Sequence, residues 1–102
     1  MEIKMVQNDD TMIFTLTGRL DTKSAPELLT SLAVAMESAE KICLDFSKVE
    51  YLSSTGLRVL YASEKKSIAK GKTMTLRNVR PEVMEIFIMT GFSDILNIVS
   101  EA

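Results

Sequence analysis

Hydrophobic and polar residues alternate with a period of two near the start of the chain, which predicts two strands. The first covers residues 3–7 and the second covers Met12–Thr17. Between them stand Asn8, Asp9 and Asp10, which are typical turn residues and favour a hairpin. Three more strands are predicted farther along the chain, at Lys41–Phe46, Thr73–Arg77 and Ile95–Val99.

The segment Lys41–Phe46 differs from the others because its apolar residues are nearly continuous. Such a run is typical of a central strand that is covered on both faces. It contains Cys43, the only cysteine of the chain. We expect this side chain to be buried as a small hydrophobic group.

Between these strands the apolar residues recur every three to four positions, which predicts three helices. The first begins near Ser24, where Ser24 and Glu27 have the spacing of a capping box, and ends at about Glu37 or Ser38. The second begins at the stretch 53–56 and ends at 70–71. The third runs from Pro81 to Gly91.

The predicted order is therefore β-β-α-β-α-β-α-β in a single domain of 102 residues. Strands that alternate with helices pair in parallel through right-handed crossovers. The opening hairpin adds an antiparallel edge strand. We expect an α/β fold with a mixed, mostly parallel sheet.

Charge and hydropathy exclude several classes of partner. The formal net charge is −2, and the modest basic cluster at 65–72 is more typical of a solvated helix face than of a nucleic-acid site. No apolar run approaches the roughly 18–20 residues that cross a bilayer, and residues 1–10 do not resemble a signal peptide. We expect a cytoplasmic protein with no direct nucleic-acid partner and no membrane insertion.

The residue types also limit the chemistry. The chain has no histidine and one cysteine, which excludes the common zinc sites and the histidine-based nucleophile–base pairs. Neither GxxxxGK[ST] nor GxGxxG occurs, so a nucleotide-binding phosphate loop is not expected. We predict no metal and no cofactor. Mechanisms that use carboxylates alone stay open, although no paired carboxylates stand out in the sequence.

One polar stretch calls for an explanation. Ser53, Ser54, Thr55 and Gly56 lie at the predicted start of the second helix, just after the central strand. Helix caps and close backbone packing would account for part of it. A phosphoserine at this position is the other interpretation, because a helix N-terminus favours anions and a phosphate adds a charge of about −1.5 to −2. These four residues by themselves leave both interpretations open.

Four segments, taken in order, resemble the STAS domain of bacterial anti-sigma factor antagonists. They are Thr17–Asp21, Leu44–Val49, Leu52–Leu57 and Met89–Phe92. The resemblance extends over nearly the whole length and implies one STAS domain at 1–102. It also implies that the helices pack mainly on one face of the sheet.

The resemblance implies a switch that works by protein binding, with no catalytic residue, and hence a protein that is not an enzyme. The unphosphorylated antagonist binds an anti-sigma factor that is also a serine kinase, and so releases a sigma factor. The kinase phosphorylates a serine at the start of the second helix, and a phosphatase of the PP2C type removes the phosphate. That serine is Ser54 here, with Thr55 as the second choice, and the aspartate that precedes it in the family is replaced by Ser53.

The expected partner surface surrounds this serine. It comprises Asp21, Ser53, Ser54, Thr55, Gly56 and Arg58. A solvated turn or cap residue before the first helix is the alternative role of Asp21. The alternative function is a STAS adaptor subunit of a lipid-transport or stress-signalling complex that is never phosphorylated. A small-ligand or nucleotide binder is a second alternative.

Overall fold

The computed structural model describes residues 1–99. It has the strands β1 (Glu2–Asn8), β2 (Thr11–Leu20), β3 (Lys41–Leu52), β4 (Thr73–Arg77) and β5 (Ile98–Val99), and the helices α1 (Ala25–Ser38), α2 (Ser54–Ala69) and α3 (Pro81–Thr90). The short 3₁₀ turn Phe92–Asp94 follows α3.

The predicted hairpin forms at the start of the chain. Asp9 takes a left-handed conformation with φ of 57°, which aspartate tolerates better than most residues. With Asp10 it makes a tight connection, and β1 and β2 pair in antiparallel register from Glu2–Thr17 to Asn8–Thr11 without a shift.

The sheet follows the order of the chain, β1-β2-β3-β4-β5, and the pairs from β2 to β5 are parallel. Successive crossovers therefore all step in the same direction. Because such crossovers are right-handed, they place the helices on one face of the sheet. The predicted α/β fold with its mixed, mostly parallel sheet is confirmed.

β2 and β3 are longer than the sequence pattern predicts. The register between them shifts after Thr15 and again after Gly18, whose φ is 109°. These irregularities let the two strands continue together, so that Leu20 lies opposite Leu52. Pairing thus extends β3 directly to the start of α2. The last strand is shorter than predicted and covers only Ile98–Val99.

The core lies between the helices and one face of the sheet. Phe14, Leu44 and Leu76 form a row across β2, β3 and β4, and all three are fully buried. Cys43 points to the other face and is buried as predicted, with 9% exposed. Its neighbours in register, Ile13 and Thr75, are only partly buried. The helices pack on one face of the sheet, as the resemblance implied. The prediction that this strand is covered on both faces is wrong, because the crossovers leave its second face without a helix.

The third helix joins the core through an aromatic contact. The rings of Phe46 and Phe87 lie 6.1 Å apart at 53°, and both side chains are fully buried. We predict that Phe87→Ala lowers the free energy of unfolding by about 3–5 kcal/mol, because it removes a large buried side chain and leaves a cavity. Urea denaturation followed by circular dichroism measures this loss.

The neighbouring Ile88 provides the control. Its side chain is 61% exposed on the same helix, so Ile88→Ala is expected to change the free energy of unfolding by about 0.5 kcal/mol or less. Similar losses for the two variants would show that α3 does not dock through Phe87.

Candidate functional site

Ser53 caps the second helix. It follows the last residue of β3, keeps an extended backbone with φ of −91° and ψ of 171°, and its Oγ accepts a hydrogen bond from the N–H of Gly56 at 3.1 Å. Its own N–H donates to the carbonyl oxygen of Leu20 at 2.9 Å. Ser53 thus provides an acceptor for an N–H group in the first turn of α2 and also binds the start of this helix to the end of β2.

Gly56 allows α2 to approach β2 closely. A Cβ atom at this position would lie 2.8 Å from Leu20 Cγ and 2.9 Å from the Leu20 carbonyl oxygen, closer than real side chains allow. Any side chain larger than hydrogen would therefore push the helix away from Leu20. The glycine therefore has a packing role, which agrees with the close backbone packing that was one of the two interpretations of residues 53–56.

Ser54 is the first helical residue and is exposed to solvent. Among residues 1–99 its hydroxyl has no hydrogen-bond partner, whereas Ser53 Oγ accepts from Gly56 and Thr55 Oγ1 lies 3.3 Å from Thr22 Oγ1. Thr55 is also half-buried. Of the three consecutive hydroxyl groups, that of Ser54 is the most exposed and the one without a hydrogen bond to residues 1–99.

The electrostatic surroundings of Ser54 favour an anion. The first turn of α2 contains no acidic residue. Within the described part of the chain, the N–H groups of Ser54 and Thr55 donate no hydrogen bond, as is usual for the first turn of a helix. Arg58 is exposed four residues after Ser54, on the same side of the helix.

Asp21 organises the loop between β2 and α1. Its Oδ1 accepts hydrogen bonds from the N–H of Lys23 at 3.1 Å and of Ser24 at 3.2 Å. The hydrogen bond from the Ser24 backbone is the main cause that holds the pKa of Asp21 below its ordinary value, with help from Lys23 and the nearby Arg19. The carboxylate therefore caps the turn that leads into α1, which is the alternative role given above. Its contact with a partner stays a prediction.

The capping box predicted for Ser24 and Glu27 is wrong. Ser24 is buried, and its Oγ donates to the carbonyl oxygen of Arg19 at 2.7 Å and accepts from the N–H of Asp21 at 2.9 Å. The side chain makes no cap hydrogen bond to α1. The residue three positions earlier, Asp21, does the capping instead, because the chain turns helically before α1 begins.

The structure brings the predicted site residues to one end of the sheet. Ser53 and Gly56 contact Leu20, and Thr55 contacts Thr22, so the loop that holds Asp21 lies beside the start of α2. Sequence reasoning missed Thr22, since it is 33 residues from Thr55 along the chain. It also missed the Arg19 guanidinium, which lies 4.2 Å from the centre of the Tyr51 ring.

Metal-ligating side chains and membrane-spanning helices were both considered for residues 1–99 of the structure. Across residues 1–99, no group of three or more His, Cys, Asp or Glu side chains could hold a metal ion. The helices of the same part of the chain are all too short or too polar to cross a membrane.

Comparison with known proteins identifies the family. Residues 2–101 match the STAS domain family, and the chain belongs to it. The chain is 28% identical over 98 residues to the anti-sigma-B factor antagonist of Bacillus subtilis (strain 168), covering 96% of this chain and 90% of that protein. The family predicted from the sequence is confirmed.

Solved structures show the same fold. The anti-sigma factor antagonist SpoIIAA in its unphosphorylated form matches with a TM-score of 0.84 and 16% identity, covering 99% of this chain and 89% of that one. The phosphorylated form of the Bacillus cell fate determinant SpoIIAA matches with a TM-score of 0.78 and 15% identity, covering 99% and 92%.

The cap at Ser53 can be tested by its effect on stability. We predict that Ser53→Ala lowers the free energy of unfolding by about 1 kcal/mol, since it removes the acceptor of the Gly56 N–H. Ser54→Ala is the matched control and should cost much less, because the Ser54 hydroxyl has no partner among residues 1–99. Urea denaturation of both variants measures the difference, and equal losses would rule out the cap.

The close approach at Gly56 leads to a separate prediction. Gly56→Ala should lower the free energy of unfolding by about 1–3 kcal/mol, because the added methyl group overlaps Leu20. The double variant Gly56→Ala/Leu20→Ala tests the cause. Because the second change removes the Leu20 Cγ atom, the double variant should lose less free energy of unfolding than the sum of the two single losses. Strict additivity would show that the methyl group does not meet the Leu20 side chain, since the Leu20 carbonyl oxygen is present in both backgrounds.

Proposed function

We propose that this protein is an anti-sigma factor antagonist that is switched by phosphorylation of Ser54. The single observation that carries the proposal is the geometry of Ser54, an exposed hydroxyl without a partner among residues 1–99 at the first position of a helix. Membership of the STAS family and similarity to the anti-sigma-B factor antagonist of Bacillus subtilis support it.

A phosphate on Ser54 would be tolerated by the protein's own fold. Its oxygens can accept hydrogen bonds from the N–H groups of Ser54 and Thr55, and the helix dipole favours negative charge at this end. No acidic residue in the first turn opposes it, and Arg58 adds a positive charge on the same side of the helix. Modification therefore changes the surface and leaves the packing of α2 intact.

A partner that covers the start of α2 would meet a new charge of about −1.5 to −2 inside the contact. Burying such a charge without compensation is costly, so the complex would dissociate. In this proposal the unphosphorylated protein binds an anti-sigma factor with serine kinase activity and releases a sigma factor. A PP2C-type phosphatase resets the switch. The protein acts by binding rather than catalysis, in the cytoplasm.

The replacement of the family aspartate by Ser53 is compatible with this mechanism. Ser53 retains the capping hydrogen bond to Gly56 and brings no negative charge next to the phosphate. The kinase would instead recognise the exposed hydroxyl and the shape of the loop beside it, with Asp21, Thr55 and Arg58 in the contact. Gly56, which is buried against Leu20, would act only by positioning the start of α2. Ser54 is the favoured acceptor over Thr55, which is half-buried and lies next to Thr22.

The same replacement favours a second candidate function. A STAS adaptor subunit of a lipid-transport or stress-signalling complex would need no phosphate and no carboxylate beside Ser54. The two functions differ in one measurable property, which is whether a kinase modifies the start of α2.

Phosphorylation is tested by incubating the protein with the serine kinase anti-sigma factor of the same organism and Mg-ATP. Mass spectrometry should show one phosphoryl group on Ser54. The signal should disappear in Ser54→Ala and persist in Thr55→Ala. A protein that remains unmodified at both residues would support the adaptor function instead.

The effect on binding is tested with Ser54→Asp. We predict that this variant binds the anti-sigma factor at least about tenfold more weakly, which corresponds to a loss of ~1.4 kcal/mol in binding free energy. Isothermal titration calorimetry measures this affinity. Asn8→Asp introduces the same charge at the exposed last residue of β1, beside the hairpin turn and at the other end of β2, and should bind normally. Melting temperatures close to that of the unsubstituted protein confirm that folding is intact, and equal affinities for the two variants would contradict the switch.

A further inference from the structure

β1 is an edge strand whose outer side has little protection. Its pairing with β2 is regular over the whole range Glu2–Asn8, with no bulge and no proline. Met5 and Val6 are 50% and 62% exposed. Natural edge strands are usually protected by bulges, prolines or charged side chains. Of these β1 has only Glu2 and Lys4, whose charges are opposite in sign. The N–H and C=O groups along the free side of β1 can therefore pair with another strand.

The charges of β1 lack partners within the sheet. Glu2 and Lys4 point to the same face because they are two residues apart. Across the strand they lie opposite Thr17 and Thr15, which are uncharged. Neither takes part in an ion pair with any residue from 1 to 99.

We propose that β1 is a self-association surface, through which two copies of this chain pair antiparallel about Ile3. In this register Glu2 of each copy lies opposite Lys4 of the other, so two complementary charge pairs form. On the other face, Ile3 lies opposite Ile3, and Met1 lies opposite Met5 of the second copy. The pairing joins the two sheets into one.

Other registers are less favourable. Pairing about Glu2 or about Lys4 would place two like charges directly opposite each other, which destabilises a strand pair. Pairing about Met5 would place Glu2 opposite Asn8 and Lys4 opposite Val6, so that neither charge has a partner. Only the register about Ile3 matches both charges and keeps the other face apolar.

The surface beside β1 also suits a second copy. A groove between Met5 and Met12 of the sheet and Thr30, Val34 and Ser38 of α1 is lined without any charged side chain. Val34 is 66% exposed at its rim. Depletion of charge and the presence of methionine are typical of the central part of protein interfaces. The apolar row of the paired strands, which includes Met5, runs into this groove.

The contact is short, so the dimer should be weak. Five residues of strand from each copy bury less than the ~1,600 Å² of a standard interface. We expect dissociation in the micromolar range or above and a marked dependence on salt, because two charge pairs at the rim of the contact are screened.

Sedimentation velocity over a concentration series, with a reducing agent and no N-terminal tag, tests the proposal. The unsubstituted protein should shift from monomer to dimer as its concentration rises. Glu2→Lys and Lys4→Glu should each weaken association about tenfold or more, since each opposes like charges in two places. The double variant Glu2→Lys/Lys4→Glu should restore it, and an equimolar mixture of the two single variants should form a heterodimer.

Glu2 and Lys4 are both exposed, so none of these variants should change the melting temperature of the monomer appreciably. A protein that stays monomeric at every concentration overturns the proposal. So does a dimer that is insensitive to the single changes, or one that the double change fails to restore. The result does not depend on Ser54, since no step of the assay uses a kinase or an anti-sigma factor.

Discussion

The close contact between the start of α2 and Leu20 is the interaction on which the candidate site depends. It combines a backbone hydrogen bond from Ser53 to Leu20 with a close approach of α2 to Leu20, which leaves no room for a Cβ atom at position 56. The contact fixes where α2 begins, and so it fixes the outward direction of the next residue, Ser54. It also holds the β2–α1 loop against the helix, because the chain turns into that loop directly after Leu20. Without this contact the hydroxyl groups would be neighbours in sequence only.

The two helix starts at this end of the sheet are capped by different chemistry. Asp21 uses a carboxylate to accept hydrogen bonds from Lys23 and Ser24, and this lowers its pKa. Ser53 uses a neutral hydroxyl for the same purpose at α2. Negative charge is thus present in the loop and absent from the capping position next to Ser54. An anion added at Ser54 meets free N–H groups, and the nearest fixed carboxylate of this loop is already engaged.

Much of the fold could be predicted from the sequence, because its signals are local. Alternation marks the strands, and helical spacing marks α1, α2 and α3. The length of β3 could not be predicted in this way, since residues 47–52 become a strand only by pairing with the bulged end of β2. Local signals also could not show that one face of β3, the face of Cys43, carries no helix. That depends on the side of the sheet on which the crossover connections lie.

The candidate site was predictable in part for a similar reason. A run of hydroxyl residues followed by glycine points to a helix start, and the resemblance to the STAS family singles out Ser54. What each hydroxyl does could not be read from the run itself. Ser53 caps α2 through Gly56, three residues away, whereas Thr55 lies against Thr22 and the Ser53 N–H pairs with Leu20, each 33 positions away in the chain. Ser54 has no hydrogen-bond partner among residues 1–99, and this becomes visible only when those distant contacts are known.

The preformed cap at Ser53 has a consequence for timing. Since the helix start is already in place, a modification at the next residue requires no refolding and no slow isomerisation. The response of such a switch is then limited by the turnover of the modifying enzymes and by diffusive encounter. The same molecule can pass through many cycles without any change in the packing of its core.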